Sequence, residues 1–81
     1  MAYDLKYGKV TVENSDSLNN SDEPVFIIRS QDMAAISAVL KYAQEASKIG
    51  ASEELNIAVH NVANVMKTWQ EDHPELVKVP D

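Results

Sequence analysis

Lys48-Ile49-Gly50-Ala51-Ser52-Glu53-Glu54-Leu55 is the stretch that decides the fold. Gly50 closes a long helical pattern and is the residue expected at a left-handed helix terminator. Ser52 can cap the free amides of a new helix, and Glu53 and Glu54 suit its positive end. The connection Gly50-Ala51-Ser52 is three residues long, which folds the chain straight back and makes the two helices antiparallel. Upstream, the pattern predicts a first helix starting at Ser30 or Asp32 and ending at Ile49. Ile36, Val39, Leu40, Ala43 and Ala46 form its core stripe, with Lys48 near its negative end. Downstream, the second helix runs to His73-Pro74, because the residue before proline avoids the α region. Its stripe is Leu55, Val59, Val62, Met66 and Trp69, and a second apolar line of Ile57, Ala58, Ala63 and Val65 widens that face past half the circumference. One partner helix and a small sheet cannot cover so much. The stripe therefore predicts a subunit interface and a homo-oligomer.

Before the helices the period is two. In the segment Tyr7-Gly8-Lys9-Val10-Thr11-Val12-Glu13, Val10 and Val12 share one face and Lys9, Thr11 and Glu13 the other, the pattern of a half-buried strand. Val25 to Arg29 reads as a second strand after Pro24, and its unbroken apolar run implies burial on both faces. The eleven residues 14–24 between them are turn formers, which predicts a flexible polar loop. Leu76 to Val79 alternates again and offers a short third strand. The expected fold class is α+β: a small antiparallel sheet, then an antiparallel helical hairpin on one of its faces. Residues 1–81 form a single domain.

Composition narrows the function. Thirteen acidic residues against seven Lys and Arg give a net charge of −6, with Arg29 the sole arginine. Direct nucleic-acid binding, which needs clustered cations, is not expected. No stretch approaches the roughly 18–20 apolar residues of a membrane span, and no signal peptide opens the chain, so no membrane partner and a cytoplasmic location are expected. There is no cysteine, and His60 and His73 stand thirteen residues apart outside any zinc-binding spacing. Neither a nucleophile elbow nor a phosphate-cradling glycine loop is present. The expectation is no metal, no cofactor and no enzyme. The neighbours Glu71, Asp72 and His73 point in different directions on a helix end.

Two places carry binding chemistry. Arg29, Ser30 and Gln31 lie at a strand-to-helix junction, where a guanidinium beside free helix amides suits an anion. The other reading is that Arg29 pairs with Asp32 or a carboxylate of the neighbouring helix. On the second helix, Asn56, His60, Asn64 and Thr68 stack four apart with Asn61 beside them. Asn is a poor helix former, so this line is a solvated face, a reader of polar ligand edges or an amide seam between subunits. Lys67 and Lys78 can add charge. Trp69 continues the core stripe, which leaves Tyr3 and Tyr7 as the better stacking residues.

The segments Glu23-Pro24-Val25-Phe26-Ile27-Ile28-Arg29-Ser30-Gln31-Asp32 and Trp69-Gln70-Glu71-Asp72-His73-Pro74 with Val77-Lys78-Val79-Pro80-Asp81 resemble a group of short tailed-phage and prophage proteins. That group shares an EPVF-x-x-R-x-QD block and a W-Q-x-x-x-P-x-x-V-K-x-P-D tail. The resemblance implies a phage accessory protein in the cytoplasm of an infected bacterium. Phage proteins of this size include sponges for cyclic nucleotides or cyclic ADP-ribose, such as anti-CBASS and anti-Thoeris proteins. No binding residue carries over from them.

The resulting expectation is a self-associating protein that sequesters a small anionic, nucleotide-like ligand. Its candidate ligand contacts are Arg29, Ser30, Gln31, His60, Asn61, Asn64, Lys67 and Tyr7. So short a chain has little room for a full pocket, which places the ligand between subunits. The competing expectations are an acidic inhibitor that docks on a basic protein, in the manner of a DNA mimic or an anti-CRISPR, and a structural accessory protein.

Overall fold

Ser52 and Gly50 do what their positions require. In the computed structural model, which describes residues 1–81, the Ser52 side chain accepts a hydrogen bond from the Leu55 amide at 3.1 Å and starts helix α3, Glu53–Asp72. We number the elements along the chain: strands β1 (Tyr3–Asp4) and β2 (Gly8–Lys9), helical turn α1 (Asp16–Asn19), strand β3 (Pro24–Val25), helix α2 (Ala35–Lys48) and α3. Helix α2 ends on Gly50 at φ +96°. The Gly50 amide bonds the Ser47 carbonyl at 3.2 Å and the Ala51 amide bonds the Ala46 carbonyl at 3.0 Å, the paired closure that a left-handed residue makes possible.

α2 and α3 pack on each other through small residues. Ala35, Ala43 and Ala46 of α2 and Ala63 of α3 are buried, whereas no large side chain is fully enclosed. Alanine at the crossing lets two backbones approach closely, but it removes little apolar surface from water. On α3 the residues turned inward are Asn56, Val59, Ala63, Met66 and Gln70.

The class is α+β, and its strand content is smaller and differently arranged than the sequence pattern predicts. The sheet runs β2-β1-β3, antiparallel between β1 and β2 and parallel between β1 and β3, so it is mixed. Residues 10–13 lie outside any strand, and the apolar run after Val25 leaves the ladder. The reason is Asp4. Its carboxylate takes the Ile27 amide at 2.9 Å, and it closes the β1–β2 turn by accepting from the Lys6 and Tyr7 amides at 2.7 and 2.9 Å. Segment 14–24, expected as a loop, carries α1. The Asn19 amide group grips the Val12 backbone in both directions, at 2.8 and 2.7 Å.

Helix α2 starts three residues after Asp32. The Met33 amide is tied to the Lys78 carbonyl and the Lys78 amide to the Gln31 carbonyl, both at 2.9 Å. The C-terminal segment thus adds one parallel bridge, Asp32 to Lys78, in place of a strand, and residues Pro74–Leu76 form a 3₁₀ turn. The Gln70 side chain donates to the Ser30 and Asp32 carbonyls at 2.9 and 3.1 Å.

The hairpin does not lie on the sheet. Among the helices and strands, the strands touch only one another and α3 touches only α2 and the 3₁₀ turn. The two parts are joined by residues 26–34 and by the C-terminal segment. Accordingly the radius of gyration is 14.2 Å, against about 11.7 Å for a typical domain of this length.

Candidate functional site

The seam between the two parts is a recess of about 110 Å³ whose lining side chains come from three segments, 4–7 without Leu5, 26–32 without Ile28 and Ser30, and 78–81 without Val79. It gathers three cations, Lys6, Arg29 and Lys78, and three carboxylates, Asp4, Asp32 and Asp81. Each carboxylate is already engaged. Asp4, buried, serves the three backbone amides named above, and they hold its carboxyl below the usual range, the Tyr7 amide most strongly, against the opposing effect of burial. Asp32 accepts from the Ala34 amide at 2.7 Å. Asp81 sits 3.1 Å from Lys6 and 3.5 Å from Lys78. Its hydrogen bond with Lys6 raises the lysine and lowers the carboxyl. Both of those side chains are more than half exposed, so the pair is of the weakly stabilising, salt-screened kind.

Arg29 has no ion pair and no side-chain hydrogen bond. The expected alternative, pairing with Asp32, does not occur. Arg29 lies six residues before α2, and the amides of Met33, Ala34 and Ala35 are spent on the Lys78 carbonyl, the Asp32 carboxylate and the Asp32 carbonyl. Arg29 therefore stands with Lys6, Lys78, Tyr7 and Gln31.

The other candidate contacts lie elsewhere in the single chain. Ser30 and Asn61 border a shallow, open depression on α3 with Val62, Val65 and Met66. Asn64 borders a second with Val65, Thr68, Trp69 and Asp72. Lys67 and His60 are exposed, and His60 donates from Nδ1 to its own helix at the Asn56 carbonyl, 2.9 Å away. The line Asn56-His60-Asn64-Thr68 splits, because Asn56 turns partly towards α2. His73 bonds the Trp69 carbonyl at 2.8 Å and stacks on the Trp69 ring, with centroids 4.3 Å apart. Of the stripe expected at a subunit interface, Leu55 and Val62 are exposed, and Val59, Met66 and Trp69 are half-buried.

The residues that sequence reasoning missed are Asp4, Lys6, Asp81 and Gln70. Asp4 had a local signal, since an Asp three residues before Tyr7-Gly8 is an Asx-turn composition. The other three act through long-range contacts that no local pattern encodes. No group of three or more His, Asp or Glu side chains is placed to hold a metal ion. No helix is long and apolar enough to cross a membrane. No known protein family, curated protein or solved structure matches the chain.

Proposed function

We propose that this chain is a non-enzymatic, homo-oligomeric binding protein that holds a small anionic, nucleotide-like ligand by its phosphate at the Arg29 recess. The observation that carries the reading is the unpaired guanidinium of Arg29, set beside Lys6 and Lys78 while the local carboxylates are otherwise occupied. An incoming phosphate displaces the exposed Asp81 from Lys6 and Lys78, the weak kind of ion pair, and shares the recess with Asp4 and Asp32, whose charges the backbone amides hold. A guanidinium offers the planar fork that phosphate oxygens match.

Size sets the rest. A recess of about 110 Å³ accommodates one phosphate-sized group, whereas a whole nucleotide needs a site of about 300–1,000 Å³. The remainder of the ligand then lies outside the recess, against the exposed ring of Tyr7 and a neighbouring copy. In the setting that the phage-protein resemblance implies, such a protein acts in the host cytoplasm and sequesters a signal of the bacterial defence.

The test is thermal melting with cyclic di- and trinucleotides, cyclic ADP-ribose isomers and pyrophosphate. A ligand at a hundred times its Kd stabilises by about 2.7 kcal/mol, roughly 10 °C or more in so small a domain. Arg29→Ala should abolish that shift. Melting points unmoved by every compound, or an Arg29→Ala protein that responds like the parent, would end the proposal.

A further inference from the structure

The chain exposes 6103 Å². A folded monomer of 9.0 kDa exposes about 4,850 Å², so about 1,250 Å² more than expected stays in contact with water. Obligate homodimers bury about 1,000–2,500 Å² on each subunit, and the excess falls in that range.

Part of the uncovered apolar surface lies along one face of α3, while Leu5, Phe26, Ile49 and Val79 expose more of theirs elsewhere. Leu55, Ala58, Val62, Val65 and Trp69 follow one another along α3 at spacings of 3, 4, 3 and 4 residues, the seam of a coiled coil. Val62 is 47% exposed and Val65 69%. α2 does not cover this row, because it packs on the adjacent side through Val59, Ala63 and Met66. No strand touches α3 either. The two depressions bordered by Ser30, Asn61 and Asn64 open beside Val62 and Val65 on the same surface.

We infer that a second copy of this chain covers the row, α3 against α3 in antiparallel orientation, with a two-fold axis near Val62, so that two helical hairpins make a four-helix bundle. The row's outer members lie seven residues on either side of Val62, and the inner ones four before and three after it. Two copies related by a two-fold axis at Val62 therefore set apolar side chains against apolar side chains along the whole row. Antiparallel pairing sets Leu55 on the partner's Trp69 and the small Ala58 near the partner's Val65. It also opposes the helix dipoles, whereas a parallel pair would align them and bring both Glu53-Glu54 ends together. The inference rests on the assembly half of the proposed function and is independent of the ligand half.

Light scattering on the eluting protein should give about 18 kDa, twice the chain mass of 9.0 kDa. Val62→Glu places two carboxylates against each other at the axis and should weaken dimerisation roughly 100-fold or more. Since that variant can unfold when its partner is lost, cross-linking gives a second reading on a chain with no cysteine of its own. Val62→Cys should form a disulfide dimer on oxidation. Leu55→Cys should not, because antiparallel copies hold those positions about 21 Å apart along the axis. A parent protein eluting as a monomer overturns both this interface and the assembly reading. A dimer that survives Val62→Glu, or Leu55→Cys linking as readily as Val62→Cys, overturns this interface alone, and the Arg29 melting test remains a separate measurement.

Discussion

Replacing Gln70 by leucine removes two hydrogen bonds and little else. Leucine and glutamine have similar size and similar helix propensity, so α3 itself should be indifferent. What is lost is the side-chain amide, which donates to the Ser30 and Asp32 carbonyls at 2.9 and 3.1 Å. The Asp32 carbonyl keeps a partner in the Ala35 amide at 3.0 Å, so most of the cost falls on Ser30, which is half-buried and only partly reached by water. A neutral hydrogen bond contributes about 0.5–1.5 kcal/mol net, which puts the loss at about 1–2 kcal/mol for the pair. That corresponds to a fall in melting temperature of roughly 5–10 °C. The melts must be compared at matched protein concentration, because association makes the midpoint concentration-dependent. Hydrogen exchange should quicken at residues 29–35, since Gln70 is what ties that segment to α3. Gln70→Glu sharpens the case: at neutral pH its carboxylate faces two carbonyl oxygens, so it should melt below Gln70→Leu, and acidification should restore part of the loss. If Gln70→Leu melts with the parent and exchange at residues 29–35 is unchanged, the tether has no energetic role.

Two further outcomes are expected. Asp4 has a folded-state carboxyl lowered from an ordinary value of 3.8, so its contribution is present above that value and is lost as pH falls through the lower folded one. Stability should hold down to about pH 5 and decline below about pH 4, and Asp4→Asn should blunt that decline while speeding exchange at the Lys6, Tyr7 and Ile27 amides; an unchanged acid profile in Asp4→Asn would refute this. Ser52→Ala removes the α3 cap and should cost about 1 kcal/mol, seen as a melting point lower by about 4–8 °C, whereas Ser52→Asp should melt with the parent.

The helical half was readable because its determinants are local. Gly50 at a positive φ, Ser52 on the Leu55 amide and a three-residue turn each act within a few residues, and they define the hairpin together. The sheet was not, because two-residue strands have no period to read. β1 pairs on one side with a strand four residues away and on the other with Pro24-Val25, and the alternation of Val10 and Val12 pointed just past the true ladder. The apolar run from Val25 looked like a strand, and a side-chain carboxylate took the Ile27 amide instead. At the candidate site, Arg29 could be singled out as the only arginine. Its neighbours Lys6 and Lys78 stand 23 and 49 residues away in sequence; the β1–β3 pairing with Asp4 on the Ile27 amide brings up the first, and the bridge of Lys78 to residues 31–33 the second.

The bridge also sets an order of events during synthesis. The recess has walls from segments 4–7, 26–32 and 78–81, so the wall from 78–81 is the last of the three to be synthesised. α2 and α3 meet through neighbours in sequence and can pair early, but the Lys6–Asp81 contact closes a loop over 75 residues. Until residues 78–81 have emerged, a nascent chain therefore holds a finished hairpin and an unfinished recess. The recess is complete only once residues 78–81 have joined residues 4–7 and 26–32.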